Sequence, residues 1–230
     1  MISDNLKRVK NRIAEAALQC GRQPESIRLV AVTKTVPVEK IREAREAGVD
    51  VFGENKVQEA LEKIDRLGSE GIHWHFIGHL QKNKVRHVVG RFELIHSVDS
   101  VDLARLIHLK SVEQGGVAPI LIQVNISGEA SKSGVAPDEL EPLLRTVSVL
   151  QGIRVEGLMT IPPFDPDPEK SRRFFSALRG LRDKIARLGI EGISLQELSM
   201  GMSHDFPIAI EEGATLVRVG TAIFGERDSG

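Results

Sequence analysis

The sequence has no tyrosine, a single cysteine and no run of about 20 apolar residues. Tyrosine is one of the few side chains that can act as a general acid or base, so chemistry of that kind must fall to other groups. The lone Cys20 excludes an intrachain disulfide and an all-cysteine metal site, and it suits a reducing compartment. The missing apolar run leaves no candidate helical span, and the first residues, Met1 to Lys7, lack the apolar core of a signal peptide. The expected location is the cytoplasm. Neither charge sign is in excess: 31 Lys+Arg stand against 32 Asp+Glu. That balance removes the electrostatic basis for binding nucleic acid or an anionic membrane.

What is present is ordinary globular material, 41% hydrophobic over 230 residues, which is enough to bury a real core as one domain over 1–230. Leu6, Val9, Ile13, Ala16 and Ala17 recur at helical spacing, so a helix is expected from Asp4 to Gln19, with Cys20 packed along the same stripe and Gly21 as the stop. Beyond it, short apolar runs alternate with amphipathic segments. The runs expected as strands are Arg28–Val32, Val49–Phe52, His73–Ile77, Leu94–Ser97, Ile120–Asn125, Val155–Thr160, Glu197–Met200 and Leu216–Val219. The intervening helical patterns are Val38–Ala47, Val57–Leu67, Gln81–Val89, Val101–Glu113, Asp138–Leu150, Glu169–Leu188 and Phe206–Glu212. Strands alternating with helices imply right-handed crossovers and a parallel sheet. Eight such units indicate an α/β fold of the closed (β/α)8 TIM-barrel type with an extra N-terminal helix, although an open six-stranded sheet begins with a similar pattern.

In a barrel the working residues lie at the carboxyl ends of the strands. Lys34 directly follows the first strand, and a helix starts just beyond Pro37, so its ammonium is expected to point into the barrel mouth. Partial desolvation there favours the neutral amine needed for imine formation; an ion pair with Glu54 or another mouth residue is the alternative. The last two strand ends read Ser199-Met200-Gly201-Met202-Ser203 and Arg218-Val219-Gly220-Thr221-Ala222. Their glycines and hydroxyls are what a backbone phosphate cup requires. A Schiff-base lysine facing a phosphate cup points to pyridoxal 5′-phosphate.

These segments, with Ala31-Val32-Thr33-Lys34, Phe52-Gly53-Glu54-Asn55, Trp74-His75-Phe76-Ile77-Gly78, Gln123-Val124-Asn125, Ser131-Lys132-Ser133-Gly134 and Gly157-Leu158-Met159, resemble the pyridoxal phosphate homeostasis protein family along almost the whole chain. The resemblance implies a barrel similar to the N-terminal domain of alanine racemase, with the cofactor on Lys34. It implies Ser203, Gly220 and Thr221 at the phosphate, Asn55, His75 and Met200 along the ring, and Arg218 near the pyridine nitrogen. It also implies intracellular storage, delivery or buffering of the cofactor, apo forms of pyridoxal phosphate enzymes as partners, and a monomer. Lys56 and His79 depart from the family pattern, the first removing an aromatic wall.

Two enzymatic readings stand beside this one. A racemase of the alanine racemase type needs a second base, a tyrosine from a C-terminal domain, and neither is expected here. A Schiff-base aldolase would use Lys34 on a phosphorylated sugar. His73, His75 and His79 raise the question of a metal, but no carboxylate or cysteine follows at ligand spacing, so none is expected and His75 is read as a polar lining residue. The run Lys82, Lys84, Arg86 and His87 reads as a solvated helix face.

Overall fold

The computed structural model describes residues 1–129 and 131–226. Its strands are β1 (Arg28–Val32), β2 (Val51–Glu54), β3 (His73–Phe76), β4 (Leu94–Val98), β5 (Ala118–Gln123), β6 (Ile153–Met159), β7 (Ile193–Met202) and β8 (Leu216–Val219). All pair in parallel and in sequence order, and β8 returns to β1 with Val30 opposite Arg218, which closes the barrel and rules out the open sheet. The helices are α1 (Ile2–Gln19), α2 (Val38–Glu46), α3 (Val57–Leu67), α4 (Val85–Val88), α5 (Val101–Glu113), α6 (Leu140–Val147), α7 (Arg172–Ala186), α8 (Phe206–Glu211) and α9 (Thr221–Phe224).

Strand alternation divides the core in two. Outward residues such as Phe52, Trp74, Ile95, Leu198 and Val217 join helix residues such as Leu6, Ile41, Ile107 and Leu178 in one buried layer. Inward residues Val30, Val51, Leu94, Leu121, Met159 and Leu216 form a separate apolar plug inside the barrel. Each fully buried large side chain contributes roughly 1.5–3 kcal/mol, so the outer layer carries most of the stability and the interior can accommodate polar groups.

The N-terminal helix buries its expected stripe of Leu6, Val9, Ile13, Ala16 and Ala17. It is tied to the end of the chain, since Asn5 Nδ2 donates to Ile223 O at 2.8 Å and Arg12 lies 4.7 Å from the Phe206 ring centre. Cys20 is not packed with that stripe. It is exposed, because the helix ends at Gln19 and Cys20, at φ −101° and ψ 16°, has already left helical geometry. The pattern expected as one helix over Glu169–Leu188 opens with a 3-10 turn at Pro168–Ser171 before α7 begins at Arg172.

Gly157 marks where β6 and β7 approach most tightly: a Cβ there would lie 1.9 Å from Glu197 O. Gly180, in α7, has nothing within 4 Å of such an atom. Gly157→Ala is therefore expected to destabilise by about 3 kcal/mol or more, and Gly180→Ala to stabilise by roughly 0.5–1 kcal/mol. Denaturant unfolding of both variants checks this; a neutral Gly157→Ala would mean that the strands part without cost.

Candidate functional site

Alternation along β1 turns Val30, Val32 and Lys34 to the inside in succession, the last at the carboxyl mouth. There Lys34, half-buried, lines a cavity of about 510 Å³ together with Asn55, Ser203, Arg218, Gly220 and Thr221. The two residues flanking Lys34 are both held by one buried ammonium. Lys63 Nζ donates to Thr33 O at 2.6 Å, to Glu54 Oε1 at 2.8 Å and to Glu59 Oε1 at 2.6 Å. Thr33 Oγ1 donates to the same Glu54 oxygen at 2.5 Å, and the Thr35 amide donates to the same Glu59 oxygen at 2.5 Å. Thr35 sits at φ 62°, the left-handed region that a β-branched residue rarely adopts. Such a conformation costs on the order of 1–3 kcal/mol and persists where its surroundings over-determine it. Burial pushes the Glu54 carboxyl above its usual range against the opposing pull of Lys63 and Thr33. Glu54, the partner considered for Lys34, thus has one oxygen taken by Lys63 and Thr33; its Oε2 makes no hydrogen bond.

Across the mouth, β8 ends at Val219, and Gly220 leads into α9 at Thr221. Ser203 Oγ accepts from Gly220 N at 3.1 Å and from Ala222 N at 3.4 Å, so a hydroxyl oxygen sits where these amide donors converge. The Ser203 loop is itself pinned by Asp205 Oδ1, which accepts from Met202 N at 2.7 Å. Asn55 presents a buried Oδ1 with no hydrogen-bond partner, and it is crowded from behind by Gly78, where a Cβ would lie 2.0 Å from Asn55 O. Only glycine lets the two strand ends pass that closely.

Arg218 forms part of the cavity floor. It is buried, donates from Nη1 to Ser199 Oγ at 2.5 Å and from Nη2 to Thr160 O at 3.0 Å, and desolvation pushes it down to about 10, so it stays charged at neutral pH. Ser199 also meets His96 Nδ1 at 2.8 Å, and His96 Nε2 meets His75 Nδ1 at 3.0 Å. Burial lowers both imidazoles, His75 to about 3 with help from Arg28 and His73, and His96 well below its usual value with help from His75 and Arg218.

Two residues expected along the ring are not brought to the mouth. His75 lies one inward step below Ile77, deep in the barrel, and borders a second cavity of about 480 Å³ with Arg28, Glu156 and Glu197. Met200 is fully buried in the outer layer, because Ser199 takes the inward position before it. Met202 lines the mouth instead, after a bulge at Gly201, whose φ is +88°. Gln123, Lys132, Ile161, Phe164 and His204 also line it. Ile161 and Phe164 come from the proline-rich loop, which carries no periodic signal. His79 shares the cavity, whereas Lys56 is exposed at the start of α3 and does not wall it. His73, at the start of β3, pairs with Glu93, and Lys82 and Arg86 are exposed.

The fold and mouth define a barrel of the alanine racemase kind, and the chain matches the family described as "Alanine racemase, N-terminal domain" over residues 4–228. It is 46% identical over 224 residues, 97% of each chain, to the pyridoxal phosphate homeostasis protein of Aquifex aeolicus. Among solved structures, an unknown protein from Bifidobacterium adolescentis superposes with a TM-score of 0.90 at 43% identity, covering 97% of this chain and 94% of that one. PipY of Synechococcus elongatus, solved with PLP bound, does so at 0.84 and 37%, covering 98% and 100%. The chain belongs to the pyridoxal phosphate homeostasis protein family. Its curated relatives are named as homeostasis proteins and not as enzymes.

The two interior histidines make stability depend on pH with a definite sign. Above about pH 6.5 they are neutral in both the folded and the unfolded chain; below it the unfolded chain binds protons that the folded chain refuses, so stability falls as pH drops toward the folded values. Between pH 7 and 5 wild type is expected to lose about 2 kcal/mol more than His75→Gln, as measured by urea unfolding. Equal losses would place a protonated His75 inside the barrel.

Proposed function

We propose that this protein binds pyridoxal 5′-phosphate in the mouth cavity, held as a Schiff base on Lys34, and stores, delivers or buffers it without strong catalytic activity. The observation that carries the reading is a half-buried lysine sharing one cavity with Ser203, Gly220, Thr221 and Arg218. The cofactor supplies an aldehyde that condenses with amines; the chain supplies everything that holds it. The cluster around Lys63 fixes the backbone on both sides of Lys34 and so aims its side chain. Ser203, Gly220 and Thr221 would take the phosphate, with the Ser203 hydroxyl turning to donate. Asn55 Oδ1, buried and unpartnered, would meet a polar edge of the ligand. Arg218 has only donors and keeps its proton, so it would leave a ring nitrogen unprotonated, which weakens the ring as an electron sink.

The names of the relatives and the PLP-bound neighbour support the reading. We take the cytoplasm as its location, apo pyridoxal phosphate enzymes as its recipients, the monomer as its working state and 1–230 as one domain. The racemase reading is favoured by the family match but would need a second base without tyrosine.

Titration of the purified protein with pyridoxal phosphate is expected to develop a visible absorbance band that Lys34→Ala does not form. A wild-type protein that stays colourless would overturn the binding. Incubation of the loaded protein with D- or L-alanine in deuterium oxide is expected to leave the α-proton unexchanged above background; exchange at enzymatic rates would make it a racemase.

A further inference from the structure

Four side chains run down the barrel interior in one hydrogen-bonded line, Arg218, Ser199, His96 and His75, supplied by β8, β7, β4 and β3. The line has a direction. A guanidinium only donates, so Ser199 Oγ must accept from Arg218. The Ser199 hydroxyl proton then has one acceptor in reach, His96 Nδ1 at 2.8 Å. An acceptor Nδ1 on a neutral ring puts the His96 proton on Nε2, which donates to His75 Nδ1 at 3.0 Å. His75 is left carrying its own proton on Nε2, which is buried with no partner among the described residues, while the residue lines the lower cavity. The reverse direction is worse by one orphaned group: it would leave both the buried Ser199 proton and the His75 Nε2 lone pair unmatched, whereas this direction leaves only the His75 Nε2–H, and each unmatched buried group costs about 1–3 kcal/mol.

We infer that His96 is a positioning residue for Arg218: by accepting the Ser199 proton through Nδ1 it keeps the serine lone pair turned to the guanidinium and so sets how Arg218 faces the mouth cavity. His75 supports it by accepting from Nε2. Neither histidine reaches that cavity. Neutrality matters as much as direction, because an anionic partner here would draw the guanidinium down and away from a ligand. The consequence for the cofactor rests on the proposed pyridoxal phosphate site; the relay itself does not.

The test therefore has one arm without cofactor. Long-range proton–nitrogen NMR of protein labelled with 15N-histidine, free of pyridoxal phosphate at pH 7, is expected to show His75 and His96 as neutral Nε2–H tautomers. A charged ring, or an Nδ1–H tautomer at His96, overturns the relay. The second arm compares His96→Leu with His96→Asn, whose Oδ1 can take the place of Nδ1 as acceptor. His96→Leu is expected to weaken pyridoxal phosphate binding about 3–10-fold, the worth of one neutral hydrogen bond, and to move the absorbance band of the loaded protein. His96→Asn is expected to keep both near wild type. Equal behaviour of the two variants, in either direction, overturns the positioning role. A wild-type protein that binds no pyridoxal phosphate would sink the cofactor site and leave the NMR arm to decide the relay.

Discussion

In a closed eight-stranded barrel every second side chain must enter the interior, and what the mouth can do follows from that constraint. It stacks Val30, Val32 and Lys34 along β1 and its continuation, and Leu216, Arg218 and Gly220 along β8 and its continuation, so that a lysine, a guanidinium and a glycine backbone line one cavity at one end. A one-residue slip of β1 would turn Lys34 toward the helices. The apolar plug of Val30, Leu94, Leu121 and Leu216 fills the interior, with the polar line above and beside it.

Two buried cations are treated in opposite ways. Lys63 is neutralised by Glu54 and Glu59 and serves the backbone around Lys34. Among the described residues Arg218 hydrogen-bonds to a hydroxyl and a carbonyl, with Asp205 acting on it at longer range. Removing one member of the Lys63 cluster would strand a buried charge, whereas the charge of Arg218 is met by neutral groups alone in its hydrogen bonds. The neutral imidazoles behind Ser199 complete that arrangement and make the interior sensitive to acid.

Periodicity and strand-end logic made the barrel legible in the sequence: β1, β8, α3 and α5 lie where their patterns place them. The position of Lys34 followed directly, as did Ser203, Gly220 and Thr221. What was not legible depended on contacts between distant segments. Lys63 reads as one more charged position on α3, and only the approach of Thr33, Glu54 and Glu59 reveals its task. Met200 and Met202 exchange roles because of a bulge at Gly201, where a Cβ would lie 2.5 Å from Ala209 Cβ. The family resemblance puts His75 along the ring, whereas its side chain lines the lower cavity and not the mouth, a depth that only the packing of the strands sets. Ile161 and Phe164 were lost in a proline-rich loop whose course no local pattern encodes.

The central claim is that one lysine, aimed by the barrel and fixed by its neighbours, holds the cofactor covalently. Borohydride reduction of the protein mixed with pyridoxal phosphate, followed by peptide mass spectrometry, tests it most directly. The account requires a stoichiometric adduct on the peptide containing Lys34. An adduct confined to Lys132 or spread over surface lysines such as Lys56 and Lys82 would contradict it.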